Sequence, residues 1–544
     1  MMESQSVGPS THRRLPPGAT ACLLLLMLTA LVLIAAPLAT AAASAAPPTA
    51  RGGDPLALLV LQQAELTASD AAIGDGFGDS VAVFGSTALV AADCKIVNGH
   101  NEAGAVYVYV RTGATWSQQA ELSDPDAATQ DWFGTSVALS GDTALVDAEG
   151  KTVNGQKAAG AVYVFTRTGT TWSQQTELAD PDAAGNDVFG TSVALSGDTA
   201  LVGDYNKTVA GQGSAGAAYV YTRTGTTWSQ QAELTASDAA GGDGLGISVA
   251  LSGDTALVGA AWKTVSGQSY AGAVYVFKRT GTSWSQRAEL SDPHAATKDA
   301  FGSSVALSGD SALVGASGKT VSGQSGAGAA YVYTRSGTTW SQQAELSASD
   351  AAVDDGLGSV VALSGDTALV GAGDKSVGGQ SDAGAAYVYA RAGTTWSQQT
   401  ELSDPGATAN DGFGWSVALS GETALVGAPN ETVGSAGATG AAYVDLLPAP
   451  PSLSLKAKPI SIKVGKTVTL SGTVKHFLAS DKTVQIERQV GSKLTALKTL
   501  KLTNSGAFTW ATKPNKTGTW VFEAAYKSGG VSYLSEPVSV KVHK

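Results

Sequence analysis

Charge is scarce in this chain, and so are the side chains on which most enzymes depend. Only 15% of residues are charged, a profile that suits short strands better than helices. Cysteine is limited to Cys22 and Cys94, so a disulfide framework of the kind that holds small secreted domains is excluded. Of five histidines, those beyond residue 50 are His100, His294, His476 and His543, far apart and in unlike contexts. No His pair with metal-ligand spacing, Gly-x-Ser-x-Gly elbow or phosphate-binding glycine loop occurs. After residue 50 no stretch sustains a 3.6-residue apolar period over three turns, and none is apolar for the length of a bilayer.

What the chain has instead is glycine, 66 of 544 residues, a profile suited to short strands and tight turns. The first 50 residues stand apart. Arg13 and Arg14 precede an apolar run from Ala21 to Ala36, followed by Ala39-Thr40-Ala41 and Ala43-Ser44-Ala45. Residues 1–45 read as a secretory signal peptide and 46–57 as a flexible leader. A retained anchor is the alternative, but the run is short for a span. The mature protein is expected outside the cell, with no membrane span.

A repeat dominates the remainder. Trp116, Trp172, Trp228, Trp284, Trp340 and Trp396 recur every 56 residues, and Phe77, Phe133, Phe189, Leu245, Phe301, Leu357 and Phe413 mark seven copies. Around Phe189 four strands are expected, at 192–195, 199–202, 217–221 and 228–234, with Gly197 supplying the positive φ of a tight hairpin. Four antiparallel strands per copy is the unit of a propeller blade. The last copy lacks its fourth strand, and residues 58–66 form an isolated fourth strand at the other end. The expectation is an all-β chain whose residues 58–447 form a seven-bladed β-propeller closed by an N-terminal strand. The recurring tryptophans are expected in the core, stacked between blades. Cys94 has Gly150, Asn206, Trp262, Gly318, Asp374 and Asn430 as its copies, so it reads as an incidental loop residue.

These copies resemble FG-GAP repeats, the unit of integrin α-subunit propellers and of many bacterial secreted proteins. The last copy is closest to the name, with Phe413-Gly414 followed by Gly427-Ala428-Pro429. The resemblance implies an adhesive or ligand-binding role.

It does not bring the integrin calcium loops with it, because no Asp-x-Asp/Asn-x-Asp-Gly run is present. No cofactor is expected, and weaker carboxylate sets are the remaining metal candidates: Asp124, Asp126 and Asp131, and their copies Asp180, Asp182 and Asp187. The acid before each Phe-Gly or Leu-Gly pair recurs in all seven copies. It is read first as a turn residue accepting backbone N–H bonds.

The loops before the first strand and after the second share a face and are the longest in each copy, so a ligand is expected there. Lysines and arginines repeated in six of the seven copies are discounted as locally paired. Residues that break the repeat on this face are more informative. Trp132, Tyr205, Trp262 and Tyr270, in three consecutive blades, are the candidate ligand-binding residues, with drift at tolerant positions as the alternative. Alanine at Trp132 and Trp262 is expected to weaken binding without changing the melting point.

A proline-rich linker, residues 448–451, leads to residues 452–544, about seven short strands that argue an immunoglobulin-like β-sandwich. The stretch from Val464 to Gly472 resembles bacterial immunoglobulin-like surface modules. Residues 51–448 carry net charge −24 and the tail +11, so the tail could adhere to an anionic cell wall, dock on the propeller or act as a spacer. Nucleic acid is not expected, since no recognition motif accompanies the charge. The functional reading is a monomeric, non-catalytic binding or adhesion protein with a glycan or protein ligand. The alternative is a secreted carbohydrate-active enzyme using carboxylates on the propeller face.

Overall fold

Alternating apolar residues and a glycine-led turn make each copy fold back on itself three times, into four strands. In the computed structural model the third copy forms strands Val193–Ser196, Thr199–Asp204, Ala217–Thr224 and Thr227–Leu234, hydrogen-bonded in that order. Gly197 turns the first hairpin at φ 58°, as the steric freedom of glycine permits. The structure describes residues 61–447 and 452–544, apart from 435–436, 476–482, 491–492, 504, 529–530 and 536. The signal peptide, the leader and the proline-rich linker lie outside the described residues.

Seven such four-stranded sheets follow one another. First strands touch their counterparts in the neighbouring blades while outer strands diverge, so the first strands line the axis. The seventh sheet is assembled from both ends of the propeller. Leu61–Leu66 pairs antiparallel with Ala441–Leu446, Leu61 opposite Leu446 and Leu66 opposite Ala442. The contact that joins consecutive blades also joins the last to the first. Gly197 N donates to Ser140 Oγ at 3.2 Å, and Gly85 N likewise donates to Ser420 Oγ at 3.1 Å.

The Phe-Gly pair is the joint between blades. Phe189 N donates to Ala159 O of the preceding blade at 2.9 Å. The backbones approach so closely that a Cβ on Gly160 would lie 2.1 Å from Phe189 O, which is why only glycine fits. The Phe189 ring then packs on Tyr219 at 5.4 Å and edge-on to Tyr221 at 6.2 Å. These phenylalanines and tyrosines, with Leu and Val around them, are the buried layer between sheets.

The recurring tryptophans lie elsewhere. They sit on the outer strands; Trp116 and Trp396 are buried, the other four only half-buried. Each carries an arginine over its ring, Arg223 on Trp228 at 5.2 Å for example. Trp228 Nε1 reaches back to Gln175 of the neighbouring outer strand at 2.8 Å. Trp172, Trp284 and Trp396 make the same bond to Gln119, Gln231 and Gln343, so these four tie blades together at the rim, where the indole N–H finds a polar partner.

Residues 452–544 form a separate all-β module of two sheets, one of three strands and one of six. Val468, Leu470, Ile486, Phe522 and Val540 fill the space between them, the layering of an immunoglobulin-like β-sandwich. Ser461–Lys463 runs parallel to the last strand, Val538–His543. Among the described residues no helix is long and apolar enough to cross a membrane.

Candidate functional site

The two long loops of each blade converge on one face, as strand direction requires, but they are zipped to the next blade rather than free. Gln130 N and Trp132 N, entering blade two, donate to Asn101 O and Glu102 O of blade one at 3.0 and 3.1 Å. The acid before each Phe-Gly or Leu-Gly pair accepts a backbone N–H from three residues upstream, Ala184 N to Asp187 Oδ2 at 2.8 Å.

A lysine, buried in blades one, four and six and half-buried in blades two, three and five, completes this arrangement. Lys207 Nζ bonds Asp180, lies 3.1 Å from Asp187 Oδ2 and 2.9 Å from Asp182 O. Lys151 is held alike by Asp124, by Asp131 at 3.3 Å and by Asp126 O at 2.9 Å. The two acid sets considered for a metal therefore surround an ammonium group. Asp126 and Asp182 contribute only their carbonyls and turn exposed side chains away. Burial opposes the charge on Lys207, but its bonds to Asp180 and Asp187 outweigh it and raise its pKa. In blades one, four and six the partner acid has moved two residues along, to Asp70, Asp238 and Asp350, and still reaches its lysine at 2.8, 2.8 and 2.9 Å.

The aromatic candidates divide. Tyr205 and Trp262 meet edge-to-face at 5.1 Å, both half-buried. Trp262 also covers Gly244, where a Cβ would stand 2.6 Å from its ring. Trp132 covers Gly150 in the same way at 3.0 Å, from a left-handed backbone at φ 50°. Among the described residues neither Trp132 nor Tyr270 has a ring partner, and Tyr270 is 53% exposed.

On the same face, toward the axis, lies a group that the search for aromatics missed. Asp79, Asp93, Asp147 and Glu149 are all buried. Trp415 Nε1 donates to Asp79 Oδ1 at 2.9 Å, and Ser136 N to Asp147 Oδ1 at 2.6 Å. Both Asp93 oxygens are without a hydrogen-bond partner among the described residues. Burial pushes Asp79 up to about 7. Burial, then the Asp79 charge, does the same to Glu149, also about 7. The signal was present: Asp93 has Ala261, Ser317, Gly373 and Pro429 among its copies, and Asp147 has Ala91 and five glycines.

The seven joints share one Phe-Gly or Leu-Gly geometry, and a known repeat has the same pattern. The FG-GAP repeat model matches residues 60–109, 116–165, 172–221, 228–277, 284–333, 340–389 and 396–444. The chain belongs to the FG-GAP repeat family. No curated protein matches this FG-GAP chain. Similar solved structures are remote. One is a CARDB domain from Pyrococcus furiosus, 14% identical over 17% of this chain and 92% of that one, with a TM-score of 0.14. Another is the PKD domain of an M14-like peptidase from a Thermoplasmatales archaeon, 15% identical over 18% and 98%, with a TM-score of 0.12.

Proposed function

We propose that this FG-GAP propeller is a secreted, non-catalytic binding protein that presents its long-loop face to an extracellular glycan or protein. The Tyr205–Trp262 pair carries the reading. Two aromatic rings meet at 5.1 Å in adjacent blades, at positions where the other blades carry small or polar residues, with exposed Tyr270 in the same sector. Half-exposed aromatics on a rigid scaffold supply contact area at little entropic cost, as sugar-stacking and protein-anchoring sites require. The buried acids nearer the axis favour binding over hydrolysis, since carboxylates closed off from solvent cannot meet a substrate. The signal-peptide pattern of residues 1–45 supports secretion, and the +11 tail supports adhesion to anionic wall polymers.

The test is a screen of the secreted chain against glycans, cell-wall polymers and extracellular proteins, read for both retention and product. Tyr205→Ala and Tyr270→Ala should weaken retention at least tenfold with the fold intact. Unchanged retention in the double variant removes the aromatic site, and turnover of a retained polymer removes the non-catalytic reading.

A further inference from the structure

The seventh blade breaks the lysine rule. Where blades one to six carry Lys95, Lys151, Lys207, Lys263, Lys319 and Lys375, it carries Glu431. The acids that would have held the lysine remain. Asp404 and Asp411 occupy the positions of Asp292 and Asp299, which in blade five grip Lys319 at 2.5 and 3.0 Å. One carboxylate oxygen from each of Asp404, Asp411 and Glu431 lies within 4.8 Å of the others. Asp404, Asp411 and Glu431 are only 9%, 1% and 7% exposed.

Hydrogen bonding accounts for only part of this convergence: Thr408 Oγ1 donates to Asp411 at 2.7 Å, and the Tyr443 hydroxyl faces Asp404 and Glu431. Asp404 Oδ2 and Glu431 Oε2 are buried and have no hydrogen-bond partner among the described residues, and none of the three acids pairs there with a lysine or arginine. Burying one such group unneutralised costs several kcal/mol, and three together are untenable as bare anions.

We infer that the seventh blade binds a divalent cation of the calcium class between Asp404, Asp411 and Glu431, in the place that a lysine ammonium fills in the other six. The other blades show that this pocket is built around positive charge. They also supply a fourth oxygen by analogy: the carbonyls of Asp126, Asp182 and His294 each accept from the lysine at 2.9 Å. Gly406 holds that position here, in a turn closed alike by Ala407 N to Asp404 O at 3.3 Å. Carboxylate and carbonyl oxygens with no nitrogen or sulfur suit a hard cation. Their irregular arrangement suits calcium, which accepts six to eight oxygens, better than octahedral magnesium. The site uses the loop before the first strand and the loop after the second, and so owes nothing to Asp-x-Asp-x-Asp-Gly loops.

The test uses the full-length chain stripped with chelator, titrated with calcium chloride by calorimetry and melted with and without the ion. A dissociation constant of about 10⁻⁴–10⁻³ M, usual for extracellular modules, is expected together with a calcium-dependent rise in Tm. Glu431→Lys restores the pattern of the other blades. It should abolish that binding event and, in chelator, melt no lower than the parent chain. Glu431→Gln removes one ligand with little change of shape and should weaken binding at least tenfold. Absence of calcium binding at about 10 mM, equal binding of magnesium, or an unchanged stoichiometry in Glu431→Lys each overturns the assignment.

Discussion

Trp262 and Gly244 are complementary: the indole covers the glycine so closely that a Cβ there would sit 2.6 Å from the ring. Blade two solves the same packing problem with the roles exchanged, Trp132 at the position of Gly244 and Gly150 at that of Trp262. These rings are therefore part of the fold as well as of the face. Trp262→Ala should destabilise the propeller by about 2–3 kcal/mol, below the cost at a fully buried site because the ring is half-exposed. Gly244→Ala should also destabilise, since it meets the ring from a backbone at φ 68°. Thermal melting of both variants is the check. Alanine at Trp132 or Trp262 is thus not a silent probe of binding, and the exposed Tyr270 is the cleaner one.

The two repeated cations should behave differently on removal. Lys207→Met leaves Asp180 and Asp187 buried without their shared partner, and about 3 kcal/mol of destabilisation is expected. Arg223 reaches Asp198 at 2.7 Å, but that aspartate side chain is 67% exposed. Arg223→Ala should cost about 1 kcal/mol or less, mostly through its contact with Trp228. Side-by-side denaturation curves distinguish them, and equal losses would refute the contrast.

The buried acids make a pH prediction. Asp79 and Glu149 have folded values of about 7, against about 4 when unfolded. Between those values the folded chain binds more protons, so its stability falls as pH rises and the loss is complete once pH exceeds the folded values. In chelator, Tm should be higher at about pH 5 than at about pH 8. Asp93→Asn, which removes a neighbouring charge felt with Asp79, Asp147 and Glu149, should flatten the dependence. A flat profile in the parent chain would contradict the raised values of Asp79 and Glu149.

Much of the architecture was legible because a period of 56 residues records the same physical demands seven times. Strand positions near Phe189 fall within a few residues of expectation, and the displaced outer strand at Leu61–Leu66 pairs as its absence from the last copy required. The candidate site was less legible. A lysine's partners stand 20 to 27 positions back, and the acid moves by two residues between blades, so no local spacing reveals the pair. The tryptophans were placed too deep, because hydrophobic size alone does not register an N–H that must reach Gln175. Repeat-breaking acids such as Asp93 and Glu431 were visible as departures from the period. Their meaning depends on what surrounds them, which only the fold supplies.

Leu61 lies directly across from Leu446 in the seventh sheet, so both ends of the propeller leave the ring from one blade. A tether attached through either terminus grips the disc at a single point on its circumference. In a seven-membered ring the far side is then blades three and four, where Tyr205 meets Trp262. That sector is the part of the ring farthest from both of its ends.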